Sequence, residues 1–250
     1  PFTKTHNVGE IKGATMKPED KVIVANKLNG FMACVTKTVD YGILVSTTGS
    51  LDSDFVELAR EVINPSPEQF DYGITYIFEI CHPSDPHIIV EDPGAYLIGM
   101  RRIGAFDRTA MASEDRLDWV AERNGWKRAV HWEMYYEYAL SFAKAARYEG
   151  LMIRRKRDDY VLKIKAPFYL LSKFLARKGE NKLAKLLTDG NSVEQIKKMN
   201  FMEEEYFPLL DHIYENKEQF CSLDEQGRLQ YISENIMDLI TNDSRNILDI

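Results

Sequence analysis

Cysteine is scarce in this sequence. The 250 residues contain three cysteines, Cys34, Cys81 and Cys221, and no two of them have the Cys-x-x-Cys spacing. An odd number without that spacing argues against a disulfide framework and against a structural zinc site. Such usage is typical of proteins in reducing compartments, so we expect a cytoplasmic location.

Long apolar runs are absent too. No stretch of about 18 apolar residues occurs, so we expect no membrane span, and no signal-peptide pattern opens the chain. Because the sequence begins with Pro1 rather than Met, we expect a processed or truncated amino terminus. With 44% apolar and 28% charged residues, a chain of 250 residues can form one substantial core, or one large domain with a small appendage.

The chain also lacks an excess of positive charge, since its formal net charge is −7. The charge is unevenly distributed along the sequence. Residues 151–198 contain 13 basic and five acidic side chains, a net charge of +8, and residues 199–250 contain three basic and twelve acidic side chains, a net charge of −9. A basic stretch beside an acidic one suits a protein that meets a polyanion on one face, although a solvated helical surface gives the same count.

Strand patterns dominate the first two thirds of the chain. Apolar and β-branched runs predict strands at 22–25, 31–38, 41–47, 73–81, 86–91, 95–103, 150–156 and 160–166. Turn residues at 40–42 and 82–85 separate neighbouring strands. Helical spacing predicts helices at 52–63, 113–124 and 133–147 in the same region.

The pattern changes after Pro167. Residues 168–188 have helical spacing, and the segments that begin at Ser192 and Ser222 are capping-box patterns that start helices. We therefore predict an α+β fold, with a catalytic domain over residues 1–167. An all-helical carboxy-terminal domain is predicted over residues 168–250.

The first candidate site segment is Lys27-Leu28-Asn29-Gly30, which follows an apolar strand. A lysine amine can attack a phosphorus atom when it is neutral, and burial or nearby positive charge promotes that form. Gly30 permits a tight turn or a close approach to a ligand. Asn29 can hydrogen-bond a sugar hydroxyl or the neighbours of the lysine. Four residues alone would equally suit an exposed lysine beside a turn.

Two further segments place acidic residues at the boundaries of predicted strands. Glu79 follows a run that should be buried, where a carboxylate is costly unless it is paired, hydrogen-bonded or bound to a metal. The flat ring of Phe78 could stack on a base. Glu149 precedes Gly150 and could hold Mg²⁺ or Mn²⁺ through its oxygens. A core Phe with a rim Glu, and a helix end before a Gly, are the ordinary alternatives.

The fourth segment holds two lysines. Lys163 and Lys165 alternate with apolar residues, so in a strand both point to one face. Two like charges on one face are unfavourable unless an anion lies between them, and a triphosphate would fit there. A solvent-facing strand is the alternative. The order of all four segments, and the strand context of each, favour a site in which a lysine attacks the α-phosphate of a nucleotide.

The four segments, Lys-x-Asn-Gly, Phe-Glu, Glu-Gly and Lys-x-Lys, resemble motifs I, III, IV and V of the covalent nucleotidyltransferases, which include DNA ligases, RNA ligases and mRNA-capping guanylyltransferases. The resemblance is strongest to the bacteriophage-type RNA ligases that repair broken tRNA anticodon loops. Residues 1–10, 46–51 and 163–169 share it, and it covers about residues 1–170. It implies an ATP-grasp-like nucleotidyltransferase domain of antiparallel sheets plus helices.

The resemblance also implies the activity of an ATP-dependent RNA ligase. Such an enzyme seals 5′-phosphate and 3′-hydroxyl RNA ends through lysyl-AMP and RNA-adenylate, with Mg²⁺ or Mn²⁺. Lys27 would be the nucleophile, and Lys163 and Lys165 would contact the α-phosphate and stabilise charge during transfer. The other implied positions are Asn29 and Gly30 at the nucleotide, Phe78 near the adenine, Glu79 at the ribose or the metal, Glu149 at the metal, and Lys4 at the β- and γ-phosphates.

The sequence departs from the family pattern at two points. No Arg-Gly element precedes the opening segment, and Ser46 and Thr48 stand where the phage enzymes carry lysines. The expected partners are RNA with broken ends, tRNA among them, and kinase and phosphatase domains that heal such ends. We expect a monomer that binds no membrane.

Two other functions remain open from the sequence. A DNA ligase or capping guanylyltransferase would usually carry an OB-fold after motif V, where this chain has helical spacing. A catalytically silent RNA-end-binding domain of a larger repair protein would bind RNA without Lys27, ATP or metal.

Overall fold

The computed structural model describes residues 2, 5–10, 16–104, 111–158 and 160–239. The chain divides into two compact units. Unit 1 comprises Pro1–Ala139 and Gly150–Ile164, and unit 2 comprises Leu140–Glu149 and Lys165–Ile250. The predicted α+β class with a helical carboxy-terminal region is confirmed. The domain boundary after residue 167 stays a prediction, because a compact unit is not a test of independent folding.

The first sheet has five strands in the order β1-β9-β8-β2-β7. Its strands are β1 (His6–Asn7), β2 (Lys21–Lys27), β7 (His131–Tyr135), β8 (Gly150–Arg155) and β9 (Val161–Lys165). β2 runs antiparallel to both β7 and β8, whereas β1 pairs with β9 in parallel. The expectation of antiparallel sheets is therefore wrong at this edge, because the opening segment runs beside β9 in the same direction.

The second sheet has the order β4-β3-β5-β6, and all its neighbouring strands are antiparallel. Its strands are β3 (Phe31–Thr38), β4 (Gly42–Thr47), β5 (Ile74–Cys81) and β6 (Gly94–Arg102). Helices α1 (Asp54–Ile63) and α2 (Glu114–Asn124) pack against this sheet. Alternate strand residues and apolar residues of both helices form one buried cluster, which includes Val35, Val56, Phe78, Leu97 and Leu117. The period-two pattern of these strands therefore directs one face of the sheet toward the helices.

Two predicted elements of unit 1 differ from the structure. The segment 133–147 is not one helix, since it is divided between β7 and α3 (Tyr136–Ala145). Strand pairing outweighs the helical spacing at the start of this segment, because the five residues of β7 form hydrogen-bonded pairs along one edge of β2. The strand predicted over 86–91 does not form either. Residues 86–91 lie in the loop between β5 and β6, and β5 pairs with β3 on one side and β6 on the other.

Unit 2 is built from helices. They are α4 (Pro167–Ala176), α5 (Glu180–Leu186), α6 (Gly190–Lys197), α7 (Phe207–Glu215), α8 (Lys217–Ser222) and α9 (Glu225–Leu239). The helix predicted over 168–188 is therefore two helices, with Gly179 as the amino-terminal cap of the second. None of the helices in the described part of the chain is long and apolar enough to cross a membrane.

The two predicted capping boxes are also placed differently. The side chain of Asp189 caps α6 by accepting from the Ser192 amide at 2.9 Å. Asp224 accepts from the Gly227 amide at 2.7 Å at the start of α9. In both cases an aspartate near the predicted serine takes the cap, since a carboxylate is at least as good an acceptor for the first free amides.

Candidate active site

The segment 28–30 connects the two sheets of unit 1. β2 ends at Lys27, which is half-buried and lies opposite Gly150 in β8, and β3 begins at Phe31 in the other sheet. Asn29, between them, is 6% exposed. The predicted nucleophile therefore lies at the end of a strand whose following turn is packed inside unit 1.

Two carboxylates accept hydrogen bonds from consecutive amides of this turn. The Asn29 amide donates to Glu91 Oε1 at 3.1 Å, and the Gly30 amide donates to Glu79 Oε1 at 3.1 Å. Glu79 lies on β5, and Glu91 lies in the loop between β5 and β6. Hydrogen bonds to an ionised acceptor are stronger than neutral ones, so these two fix the backbone just after Lys27.

Gly30 is required by the close approach of β5. A Cβ atom built at this position would lie 2.2 Å from the Ile80 carbonyl oxygen and 2.9 Å from the Ile80 carbonyl carbon. Both are backbone atoms of a strand paired on both sides, so they cannot move without breaking the sheet. The predicted role of Gly30 in a tight approach therefore has a structural reason that does not depend on any ligand.

Gly30→Ala is expected to destabilise unit 1 by about 2 kcal/mol, because the new methyl group overpacks the contact with β5. Urea unfolding followed by tryptophan fluorescence would measure this. Gly49→Ala is the matched control, since a Cβ there meets no atom within 4 Å, and its effect should stay within about 0.5 kcal/mol. Equal stability of the two variants would contradict the close approach.

Phe78 and Glu79 lie on opposite faces of β5. Phe78 is fully buried in the core, and its ring packs edge-on against Trp126 with centroids 4.9 Å apart. In this structure its ring has no exposed face on which a base could stack. Glu79 is half-buried on the other face, toward the Lys27 turn.

Cys81 is a second potential nucleophile beside the turn. Its Sγ would lie 3.2 Å from a Cβ at position 30. Burial, and then the charges of Glu91 and Glu79, raise the pKa of Cys81 to about 12. A thiol that stays protonated is a poor nucleophile.

Lys163 lies in the same sheet as Lys27. It is half-buried on β9, opposite Asn7 of β1, and its carbonyl accepts from the Val8 amide at 3.0 Å. β8 alone separates β9 from β2, so two interstrand spacings, about 10 Å, lie between their backbones. The described part of the opening segment thus runs beside Lys163. Lys4 lies outside the described residues.

Unit 2 contains the remaining two predicted site residues. Glu149 is 5% exposed, and its Oε1 lies 3.8 Å from Lys165 Nζ. Lys165 Nζ lies 5.3 Å from the centre of the Tyr169 ring. Burial, and then the Glu149 charge, raise the pKa of Tyr169 to about 12, so this phenol stays neutral. Glu149 and Lys165 thus form an ion pair beside a neutral phenol. A metal ion could bind the carboxylate of this pair, and a phosphate could contact its ammonium group.

No group of three or more His, Cys, Asp and Glu side chains that could hold a metal ion occurs in the described ranges. Glu79, with Glu91 on the neighbouring amide, and Glu149 instead offer one or two carboxylates each. That donor set fits a Mg²⁺ or Mn²⁺ ion held by one or two carboxylates together with phosphates and water, and it does not fit a cage made by the protein alone.

The sequence analysis assigns no role to Glu91, because it predicts a strand over residues 86–91. The signal that marks it is the run Glu91-Asp92-Pro93-Gly94, whose turn-forming residues indicate a loop. A glutamate at the start of such a loop, a dozen residues after Glu79, is placed to return to the same end of the sheet.

The basic stretch seen in the sequence is ion-paired at its start. Arg155 and Arg157 contact Asp20 at 3.3 Å and 3.2 Å, and Arg154 contacts Glu114 at 2.6 Å. These pairs lie within unit 1. The net charge of the stretch therefore overstates the positive charge that this part of the chain offers to a polyanion.

Comparisons with solved structures link the fold to RNA ligases. An archaeal ATP-dependent RNA ligase matches with a TM-score of 0.51 and 15% identity, over 96% of this chain and 62% of that one. An apo structure of a mutant Naegleria gruberi RNA ligase matches with a TM-score of 0.51 and 15% identity, over 68% and 57%. Another mutant of that ligase, with ATP and Mn, has a TM-score of 0.49 at 16% identity, over 68% and 57%.

These similarities are in structure rather than in sequence. No protein-family profile matches the chain, and no curated protein sequence matches it. The chain spans about 57% to 62% of the length of the solved structures named above. The fold of the chain thus resembles that of these RNA ligases.

Proposed function

We propose that this chain is the nucleotidyltransferase part of an ATP-dependent RNA ligase that joins 5′-phosphate and 3′-hydroxyl ends of broken RNA, tRNA among them. One observation carries the proposal. The backbone after Lys27 is bonded through consecutive amides to two carboxylates, at a turn where Asn29 is buried, in a fold that resembles RNA ligases. A lysine whose only task is solubility does not require such a turn.

In the first step, Lys27 Nζ would attack the α-phosphorus of ATP. A nitrogen–phosphorus bond forms, the bond to the bridging oxygen breaks, and pyrophosphate leaves, after the ammonium has lost a proton. Lys163 and Lys165 would contact the α-phosphate and stabilise the negative charge that develops on it. Lys4 would contact the β- and γ-phosphates, as the motif resemblance implies.

In the second and third steps the nucleotide would pass to RNA. An oxygen of the RNA 5′-phosphate attacks the phosphorus of lysyl-AMP and releases Lys27 as an amine. The 3′-hydroxyl then attacks the 5′-phosphate phosphorus of the RNA-adenylate, loses its proton and displaces AMP. The last step uses no bond to Lys27, so sealing of RNA that is already adenylylated separates it from the first two.

Four residues would hold the nucleotide and the metal. Asn29 and Gly30 would approach the sugar, and Glu79 and Glu149 would provide carboxylates to the ribose or to Mg²⁺ or Mn²⁺, which when bound neutralises phosphate charge. Phe78 would act from behind β5, by fixing the strand that carries Glu79, since its ring is buried in the core.

The proposal predicts a covalent label from ATP. The protein is incubated with α-³²P-ATP or α-³²P-GTP and Mg²⁺ or Mn²⁺, and then separated on a denaturing gel. The label from ATP should be released by acid and resist alkali, as a phosphoramidate does. An RNA stem-loop with a break between a 3′-hydroxyl and a 5′-phosphate should then be sealed in the presence of ATP.

Each other outcome would overturn the proposal in favour of a named alternative. A label from GTP alone indicates a capping guanylyltransferase. An ATP label with sealing of nicked DNA but not of RNA indicates a DNA ligase. RNA binding with no label from either nucleotide indicates a silent RNA-end-binding domain. As a separate test, RNA whose broken ends lack that 3′-hydroxyl or 5′-phosphate should be sealed only after addition of a polynucleotide kinase and phosphatase.

A further inference from the structure

We infer that Glu91 is a positioning residue for the Lys27 turn, and that it acts on the transfer of the nucleotide to Lys27 rather than on the sealing of RNA. The inference rests on the proposed function, because it assumes that Lys27 is the nucleophile. Glu91 Oε1 accepts the hydrogen bond of the Asn29 amide at 3.1 Å.

The turn is held from two separate segments of the chain. Glu79 reaches the Gly30 amide from β5, and Glu91 reaches the Asn29 amide from the loop that follows. β2 fixes Lys27 from the other side, through its pairing with Gly150. The Cα position of Lys27 is thus determined by a strand on one side and by two charge-assisted hydrogen bonds on the other.

The loop that carries Glu91 is itself anchored just after this residue. Lys127 contacts Asp92 and donates to the Pro93 carbonyl at 2.7 Å. The Tyr96 hydroxyl donates to the Asp92 carbonyl at 2.8 Å. Glu91 is therefore presented to the turn by a braced loop and not by a freely moving one.

The two carboxylates form a pair of acceptors that matches two successive amides. Glu91 accepts from the Asn29 amide and Glu79 accepts from the Gly30 amide, each at 3.1 Å.

The location of Asn29 explains why this contact matters. Asn29 is 6% exposed, so bulk water cannot readily replace Glu91 as the hydrogen-bond acceptor of its amide. Without the carboxylate, the turn must move to find another acceptor, and Lys27 would move with it. A displacement of about 1 Å at a reacting group can reduce a rate by about 100-fold.

Glu91→Ala is therefore expected to lower the rate of Lys27 adenylylation by about 10- to 100-fold. Sealing of RNA that already carries a 5′-adenylate should stay within about twofold of the wild-type rate, since that step makes no bond to Lys27. Glu91→Gln keeps an oxygen that can accept from the same amide, and it should recover most of the lost rate.

Two controls separate positioning from general stability. Asp40→Ala changes an exposed acid in the turn between β3 and β4, at the far end of β3 from the Lys27 turn, and it should be labelled as wild type is. Amide hydrogen exchange measured by NMR provides a readout without activity. In Glu91→Ala the Asn29 amide should exchange faster, while the Gly30 amide, held by Glu79, should remain protected.

Three results would overturn the inference. They are an equal loss in adenylylation and in sealing of pre-adenylylated RNA, a Glu91→Gln variant as slow as Glu91→Ala, and an unchanged exchange rate of the Asn29 amide. A wild-type protein that takes no label overturns the proposed function instead. In that case the exchange rate of the Asn29 amide still decides whether Glu91 holds the turn.

Discussion

Lys27→Ala is expected to abolish the covalent label from ATP, with a loss of about 1,000-fold or more, because no other group of the turn can replace the amine. The thiol of Cys81, beside the turn, stays protonated because burial and then the charges of Glu91 and Glu79 raise its pKa. The fold should persist, since an alanine at this position can still pair with Gly150 through its backbone.

Lys21→Ala is the matched control for Lys27→Ala. Lys21 begins the same strand, is exposed, and lies opposite Tyr135 in β7. Its removal should leave the label within about twofold of wild type. Mass spectrometry of the labelled wild-type protein should place one AMP on the peptide that contains Lys27. A label that persists in Lys27→Ala would move the nucleophile to another residue.

Arg228→Ala is expected to destabilise unit 2 by about 3 kcal/mol, because it leaves several backbone carbonyls without their charged hydrogen-bond donor. Arg228 is 5% exposed. Its guanidinium donates to the carbonyls of Ala176 and Lys178 at 3.3 Å and 2.6 Å, and to those of Phe220 and Cys221 at 3.3 Å and 2.7 Å. These carbonyls end α4 and α8, where free acceptors and the helix dipole both favour a cation.

The location of the tryptophans makes this effect easy to assign. All three, Trp119, Trp126 and Trp132, belong to unit 1, whereas most helices belong to unit 2. In urea, Arg228→Ala should lose helical circular dichroism at a lower concentration than wild type. Tryptophan fluorescence, which reports on unit 1, should change less.

Arg177→Ala is the control for Arg228→Ala. Arg177 ends α4 as well, but its ion pair with Glu225 is exposed, with 41% and 40% of the two side chains accessible. An exposed pair of this kind contributes about 0–1 kcal/mol. Equal midpoints for the Arg228 and Arg177 variants would show that the buried network does not stabilise the helices.

Much of the candidate site can be predicted from short segments that end strands. Lys27 and Glu79 lie at strand ends because apolar runs of alternating residues precede them, and such runs are visible in the sequence. Gly30 could be identified as a turn residue, but its contact partner could not, since Ile80 is 50 residues away. The sequence allows Phe78 to be either a core residue or a ring that stacks on a base. Only its packing against Trp126 in the structure shows that it is a core residue.

Two of the errors in the predicted elements concern strand pairing. Residues 133–135 belong to a segment predicted as a helix but become part of β7, because β2 has an edge that needs hydrogen bonds. Residues 86–91 have a strand composition but lie in the loop between β5 and β6, which pair with each other. Local propensity is worth less than about 1 kcal/mol per residue, so a sheet edge readily overrides it.

By itself, the sequence determined the α+β class, the change from strands to helices, and the order of the lysines and carboxylates, because periodicity and residue type are local properties. The tertiary structure alone decided that Glu91 reaches the Asn29 amide, that β5 leaves no room for a side chain at Gly30, and that Arg228 joins the ends of two helices. The contacts of Asn29 with Glu91, of Gly30 with Ile80 and of Arg228 with Ala176 each join residues 50 or more positions apart. Such contacts arise from burial and from the need to satisfy every buried amide and carbonyl, which no short segment can express.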